Sequence, residues 1–144
     1  MVALTAALIV FLASGLILVF SQRFWNHGLQ QATLQRDASY AMLRIKQSIR
    51  NGTGAALDSG GLGVTINHAG GSIRYWFVGA QRDLRYQISG QPEETLLDGI
   101  VESASFQIDS TTHKTVTASI ELANGDCESR LSSTTLMRNF PTGP

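Results

Sequence analysis

The sequence contains a single cysteine, Cys127, so the chain cannot form an intrachain disulfide and does not reveal its redox compartment. It also has no charged residue before Arg23. The later charges are unevenly divided: residues 23–50 carry five basic groups and one acid, whereas residues 51–144 carry six basic and ten acidic groups. Nucleic acid binding needs a concentrated basic face, which this acidic part lacks. We therefore expect no nucleic acid partner.

Residues 1–20 form an apolar run in which Thr5 and Ser14 are the only polar side chains and Gly15 is the only glycine. Twenty helical residues extend about 30 Å, which matches the hydrocarbon core of a bilayer. A soluble domain of this size cannot bury a helix that is apolar on all sides. We therefore predict a transmembrane or assembly helix over residues 1–22.

Two other interpretations of this run were weighed. A secretory signal peptide is disfavoured because no basic residue precedes the run, the run is too long, and no convincing small-x-small cleavage site follows. An ordinary single-pass anchor remains open. Arg23 and Arg36 follow the run and would by themselves favour a cytoplasmic carboxyl side.

The pattern after residue 22 predicts that the helix continues. Residues 21–50 contain no proline and one glycine, and they are rich in good helix formers. Five apolar residues recur at spacings of three and four and so share one helix face: Leu34, Ala38, Ala41, Ile45 and Ile49. Asn51-Gly52 then provides a stop signal. We predict one helix over residues 2–50, about 70 Å long, with residues 23–50 as its amphipathic half.

Residues 51–140 are predicted to form an antiparallel sheet domain, followed by a frayed tail at residues 141–144. Residues 52–63 are rich in glycine and are interpreted as a flexible loop. Alternating apolar residues then predict about six strands, including a hairpin over residues 73–88 and another that turns at Asn124-Gly125. The sheet's apolar face would pack on the Leu34–Ile49 stripe, which gives a two-layer α+β fold.

The sequence offers no pattern that indicates catalysis or metal binding. The three histidines, His27, His68 and His113, are isolated, and no cysteine or carboxylate lies at metal-ligand spacing from them. We therefore expect no enzyme activity, metal or cofactor. Trp76 alternates away from Tyr75 and Phe77, which are interpreted as core residues, so Trp76 is predicted as a possible partner contact.

Several segments together resemble a known family. Met1-Val2-Ala3-Leu4, which leads into the apolar helix, resembles the start of type IV pilins and type II secretion pseudopilins. Residues 34–50 (LQRDASYAMLRIKQSIR) resemble the second half of that helix in W-type minor pilins and J-type pseudopilins. Further similar motifs follow in the same order over nearly the whole chain: Ile73-Arg74-Tyr75-Trp76, Asp83-Leu84-Arg85-Tyr86, Leu97-Asp98-Gly99-Ile100, Ser105-Phe106 and Leu136-Met137-Arg138-Asn139.

The resemblance implies a pilin-like fold and a structural minor subunit of a type IV pilus or a type II secretion pseudopilus. Such a subunit is anchored in the inner membrane, with its globular part in the periplasm or displayed on the fibre. The implied partners are other pilin or pseudopilin subunits, inner-membrane lipid and, if a leader lies upstream, prepilin peptidase. The residues implied for the assembly helix are Ala3, Leu4, Leu8, Phe11, Leu12 and Leu16.

Two departures from the family pattern are informative. The family usually carries a glutamate just inside the mature helix, where this chain has Ala3, and the first acidic residue here is Asp37. A subunit at the fibre tip would not need that carboxylate, so a tip position is expected. No basic leader ending in glycine is present in the sequence. The alternative hypothesis is an anchored extracytoplasmic binding domain outside any fibre, with Trp76 and the loops at residues 79–83 and 109–114 as its contact surface.

Overall fold

A computed structural model of the chain describes residues 2–58, 60–111 and 114–139, and for residues 2–10 it describes the course of the backbone alone. Across these ranges the chain forms one helix and eight strands. Their bounds are α1 (Val2–Asn51), β1 (Gly54–Leu57), β2 (Gly63–His68), β3 (Gly71–Val78), β4 (Asp83–Ile88), β5 (Glu93–Leu97), β6 (Val101–Ile108), β7 (Thr115–Asn124) and β8 (Cys127–Leu136). One long helix packed on antiparallel sheets confirms the predicted α+β class.

Helix α1 runs for 50 residues, about 75 Å, and ends one residue after the predicted boundary. Its end is defined by Gly52, whose amide donates a hydrogen bond to the Ile49 carbonyl at 3.1 Å. A Cβ at position 52 would lie 2.7 Å from Ile66 Cγ2, so only glycine allows this approach of the chain to β2. Arg50 lies in the last turn, where a cation interacts favourably with the helix dipole.

The membrane-span prediction concerns the amino-terminal part of α1. Among the described residues, no helical segment combines the length and apolar character that crossing a bilayer requires. Residues 1–10 make up half of the predicted apolar run, and their side chains lie outside the described part of the chain, as does the predicted tail at residues 141–144.

The strands form two antiparallel meanders rather than the single sheet of about six strands that the sequence predicted. One sheet has the order β1-β2-β3-β4-β5, and the other has the order β6-β7-β8. One of the strands lies in a segment predicted to be a loop. Strand β1 lies inside the glycine-rich segment and pairs with β2 from Gly54↔Asn67 to Leu57↔Val64. Strand β5 begins directly after Pro92.

The β7–β8 hairpin turns one residue later than predicted. Asn124 pairs with Cys127, so Gly125 and Asp126 are the two central residues of the turn. Gly125 has a φ of 61°, which suits a glycine at the first central position of a tight hairpin turn. Strand β8 therefore begins at Cys127.

The two sheets and the carboxyl-terminal half of α1 enclose one core. The predicted helix stripe lies within it, and Leu34, Ala38, Ala41, Ile45 and Ile49 are all buried. The largest side chains that meet them from the sheets include Tyr75, Phe106 and Ile120. The Arg138 amide donates to the Arg50 carbonyl at 3.1 Å, so the end of the last sheet is joined to the end of the helix.

Candidate functional site

The most prominent functional feature is the exposed half of α1, defined here as residues 11–30. Every side chain in this stretch is exposed. Ten of them are large and apolar: Phe11, Leu12, Leu16, Ile17, Leu18, Val19, Phe20, Phe24, Trp25 and Leu29. Monomeric soluble proteins rarely expose contiguous apolar patches larger than a few hundred Å², and larger patches mark sites of interaction with proteins or membranes.

The position of the exposed half is set by contacts at its carboxyl end. The Gln31 side-chain amide donates to the Glu128 carbonyl at 2.9 Å, and His27 Nε2 lies 3.6 Å from Cys127 Sγ. Both partners belong to the start of β8. After Gln31, the apolar side chains on one face of α1 become buried. The helix therefore begins to pack on the sheets beside the start of β8.

The supported half of α1 is also held by polar contacts with the five-stranded sheet. Ser48 Oγ and Tyr75 Oη share a hydrogen bond at 2.6 Å, and the Arg44 guanidinium lies 4.0 Å from the centre of the Tyr86 ring. Burial raises the pKa of the Tyr75 phenol, while the hydrogen bond to Ser48 and the charge of Arg44 act in the opposite direction. Tyr75 is therefore a neutral hydrogen-bonding residue at physiological pH, and it orients the helix on the sheet.

The residues predicted for the assembly helix fall into two groups. Phe11, Leu12 and Leu16 are 78%, 59% and 60% exposed, and each is available to a partner. The side chains of Ala3, Leu4 and Leu8 lie outside the described part of the chain.

The exposed apolar surface extends further than the sequence predicted. Phe24 and Trp25 are 84% and 69% exposed, and Leu29 is also exposed, although all three lie beyond the predicted boundary at residue 22. They were missed because residues 23–50 were treated as one amphipathic unit. The apolar stripe of that segment begins only at Leu34. Phe24 and Trp25 lie before the stripe, and this position was the sequence signal that they are not core residues.

Trp76, the predicted partner contact, is half-buried on the outer face of the five-stranded sheet. The Arg74 guanidinium lies 5.2 Å from its ring centre, and Arg74 is itself paired with Asp58 at 2.7 Å. One face of the indole is thus associated with a cation of the same chain. Trp76 stays a predicted contact, with less free surface than Trp25 on the helix.

The loop at residues 79–83, predicted as a contact surface in the alternative hypothesis, makes internal contacts that join the two sheets. Arg82 has a φ of 58°, and its carbonyl accepts a hydrogen bond from the Val101 amide at 2.9 Å. Its guanidinium donates to Glu102 at 2.8 Å and to the Ala123 carbonyl at 2.9 Å. In the second predicted loop, at residues 109–114, residues 112 and 113 lie outside the described ranges.

Asp83, next to Arg82, is the only buried charged or polar residue among those the structure describes. Its carboxylate accepts a hydrogen bond from the Gly99 amide at 3.0 Å and pairs with Arg85 at 3.0 Å. The Gly99 hydrogen bond, followed by the hydrogen bond from Arg85, lowers the pKa of Asp83 below its ordinary value. The segments at residues 83–86 and 97–100 are therefore joined by a hydrogen bond to a carboxylate.

The described residues contain no group of three or more histidine, cysteine, aspartate and glutamate side chains that could hold a metal ion. His27 is the one histidine that contacts the cysteine, and the sequence did not predict this contact because the two residues are 100 positions apart. His68 lies near the end of α1, with Nδ1 3.3 Å from the Asn51 carbonyl oxygen. His113 lies outside the described residues.

Comparisons with known proteins found no matching family model, curated protein or solved structure.

Proposed function

We propose that this chain is a structural minor subunit, a minor pilin or pseudopilin, that assembles through the exposed half of α1 into a type IV pilus or a type II secretion pseudopilus. One observation carries the proposal: a single continuous helix is packed on sheets over its second half and is exposed over residues 11–30, where ten large apolar side chains have no cover in this chain. The resemblance of the sequence motifs to those families supports the same role.

The exposed half is suited to lateral packing against other helices. Exposing these ten large apolar side chains to water is costly, because fully burying one of them contributes about 1.5–3 kcal/mol. Either lipid or neighbouring helices must therefore cover them. Transfer from lipid to a helix interface brings no further hydrophobic gain, so assembly depends on close van der Waals packing between helices. A fibre, in which each helix has neighbours on more than one side, provides such packing.

The proposal includes two environments for the same helix. Before assembly, inner-membrane lipid covers the apolar surface and the sheets lie in the periplasm. After assembly, helices of neighbouring subunits cover it, and the sheets are displayed on the fibre. Prepilin peptidase acts on the chain if a leader lies upstream. Ala3 in place of the family's glutamate supports a position at the tip, because a tip subunit has no neighbour beyond it whose amino terminus needs a carboxylate.

Site-specific photo-cross-linking in cells that express the chain at its natural level tests this role. A photoreactive phenylalanine analogue replaces Phe20 or Phe24, which are exposed on the helix. The matched control carries the analogue at Leu62, which is also exposed but lies between β1 and β2. We expect covalent adducts with other pilin-like subunits from Phe20 and Phe24, and none of comparable yield from Leu62.

The same experiment separates the proposal from an anchored binding domain that acts alone. In that case the helix would remain in lipid, and positions 20 and 24 would yield only monomer or lipid adducts. Adducts from Leu62 alone would likewise contradict assembly through the helix. Either result would exclude the fibre role.

A further inference from the structure

A second surface, unrelated to the exposed half of α1, lies where the supported half of the helix runs beside β8. An open groove of about 470 Å³ separates them. We call this the α1–β8 groove. Its lining includes Leu43, Lys46 and Arg50 of the helix and Thr134, Leu136 and Arg138 of β8 and the residues after it.

One wall of the groove is the edge of a sheet. Strand β8 is the last strand of its sheet and pairs only with β7. The Met137 amide donates a hydrogen bond to the Lys114 carbonyl and so continues the ladder between β8 and β7. Hydrogen-bonded pairs alternate along an antiparallel ladder. The odd-numbered residues of β8 therefore direct their backbone groups to β7, and the even-numbered residues direct theirs away from it. The outward carbonyl of Glu128 accepts the Gln31 side chain. Among the described residues, the outward backbone groups of Ser132 and Thr134 have no hydrogen-bond partner.

Between residues 130 and 136 this edge lacks two of the devices that usually prevent another strand from adding to a sheet. Strand β8 has no proline, and its register with β7 contains no bulge over ten pairs. The edge strand β5 differs in this respect, because its register with β4 shifts at Leu84/Arg85. A sheet edge with free backbone groups is a template for an extended peptide, which binds by completing the backbone hydrogen bonds of the sheet.

The side chains around the groove define what kind of peptide would fit. Lys46, Arg50 and Arg138 are exposed, and no carboxylate among the residues that the structure describes lies within ion-pair distance of them. Leu43 and Leu136 are more than half exposed and add apolar surface on opposite sides of the groove. The groove therefore offers positive charge, apolar contact and free backbone donors together.

We propose that the α1–β8 groove binds an extended acidic segment of a partner protein, which adds to β8 as a further strand between residues 130 and 136. Carboxylates of the segment meet Lys46, Arg50 and Arg138, and its alternate apolar side chains contact Leu43 and Leu136. Seven residues of strand span about 23 Å, so a short segment suffices. The proposal does not depend on the fibre role, since none of these residues belongs to the exposed half of α1.

A direct binding measurement tests the proposal with the full chain in a non-ionic detergent. The probe is a fluorescein-labelled heptapeptide, Glu-Val-Glu-Val-Glu-Val-Glu, and binding is followed by fluorescence anisotropy. Two comparison peptides isolate the contributions: one has lysine in place of glutamate, and the other is N-methylated at alternate backbone positions. We expect saturable binding of the first peptide alone, and weaker binding as salt rises from about 50 mM to about 500 mM.

Two pairs of variants locate the site. Arg138→Gln should weaken binding about fivefold or more, whereas Arg23→Gln, with the same loss of charge on the exposed half of α1, should leave it unchanged. Thr134→Pro removes an outward N–H and should weaken binding about tenfold, whereas Thr134→Val retains the N–H and should change it less than twofold. Both Thr134 variants lose the hydroxyl contact with Thr117, so their difference reports the backbone group. Near-UV circular dichroism confirms that each variant is folded.

Three outcomes would overturn the proposal. Equal binding of the lysine peptide would show that charge does not select the ligand. Equal affinity of the two Thr134 variants, or of the N-methylated peptide, would show that no strand is added. If sedimentation reveals self-association that Arg138→Gln and Thr134→Pro both abolish, the occupant is a second copy of this chain and not an acidic partner. None of these results bears on cross-linking from Phe20 or Phe24.

Discussion

Replacing Asp83 by asparagine tests how β4 holds the Gly99 segment, which links the two sheets along the chain. The Asp83 side chain is only 6% exposed. One carboxylate oxygen accepts the Gly99 amide at 3.0 Å, and the other accepts Nη2 of Arg85 at 3.0 Å. Asp83→Asn keeps the volume and one oxygen for Gly99 but removes the negative charge and turns an amide group towards the guanidinium. The substitution therefore removes the ion pair with little change in packing.

The expected destabilisation is about 2 kcal/mol. A hydrogen bond to a charged group contributes about 1.5–3 kcal/mol, and breaking a buried ion pair costs about 3–5 kcal/mol. The lower range applies here because Arg85 is partly exposed and keeps its contacts with Glu93 and Gln81, both at 2.8 Å. For a chain of this size, a loss of 2 kcal/mol corresponds to a decrease in Tm of about 8 °C.

The pH dependence provides a second, independent test. The folded pKa of Asp83 lies below its ordinary value, so the unfolded chain takes up the proton first as pH falls. The contribution of Asp83 to stability is fully present above the unfolded pKa, near pH 4, and is lost as pH falls through the folded pKa. The difference in free energy of unfolding between the two proteins should therefore be constant from pH 7 to about pH 5 and decrease below pH 4.

Urea unfolding of the full chain in non-ionic detergent, followed by near-UV circular dichroism at several pH values, measures these differences. Asp126→Asn is the matched control, because Asp126 is exposed in the β7–β8 turn and its substitution should change stability by less than about 0.5 kcal/mol. A difference between wild type and Asp83→Asn that persists unchanged down to pH 2.5 would refute the role assigned to the carboxylate. Equal effects of the two substitutions at pH 7 would do so as well.

Two further predictions concern the division of α1. Ile45→Ala should lower the free energy of unfolding by about 2–5 kcal/mol because Ile45 is fully buried. Leu43→Ala, at a position that is 55% exposed, should lower it by less than about 1 kcal/mol. Urea unfolding compares the two variants, and equal losses would show that the buried stripe of α1 is misassigned. Deletion of residues 1–22 should leave a folded domain, because His27 and the residues after it provide the contacts with the sheets. Near-UV circular dichroism measures this, and loss of the signal of the folded chain would contradict the two-part description of the helix.

The candidate site was partly predictable from the sequence. The run at residues 1–20 indicates an assembly or membrane helix by composition alone, and Phe11 is exposed there as that interpretation requires. The continuation of apolar exposure to Phe24 and Trp25 was not predictable in the same way. A residue on an amphipathic helix is buried only where a sheet lies against the helix. In this chain the sheets begin to contact α1 near the hydrogen bond between Gln31 and Glu128, which lie 97 positions apart.

The elements with a local signal were predictable from the amino-acid order alone. A spacing of three and four residues placed Ile45 and Ile49 on one face of α1, alternation of apolar and polar residues predicted β3 and β7, and Gly52 and Gly125 marked a helix end and a hairpin turn. These features follow from backbone geometry and side-chain periodicity, which act within a few residues.

The remaining features depend on contacts between distant parts of the chain. Strand β1 forms from a glycine-rich segment because β2 offers it an edge, and the strands divide into two sheets that Arg82 connects through Glu102 and Ala123. The α1–β8 groove likewise exists only because a helix and a sheet edge run side by side. Each of these depends on groups far apart in the chain, and the free energy of such contacts is not encoded in the periodicity of either segment alone.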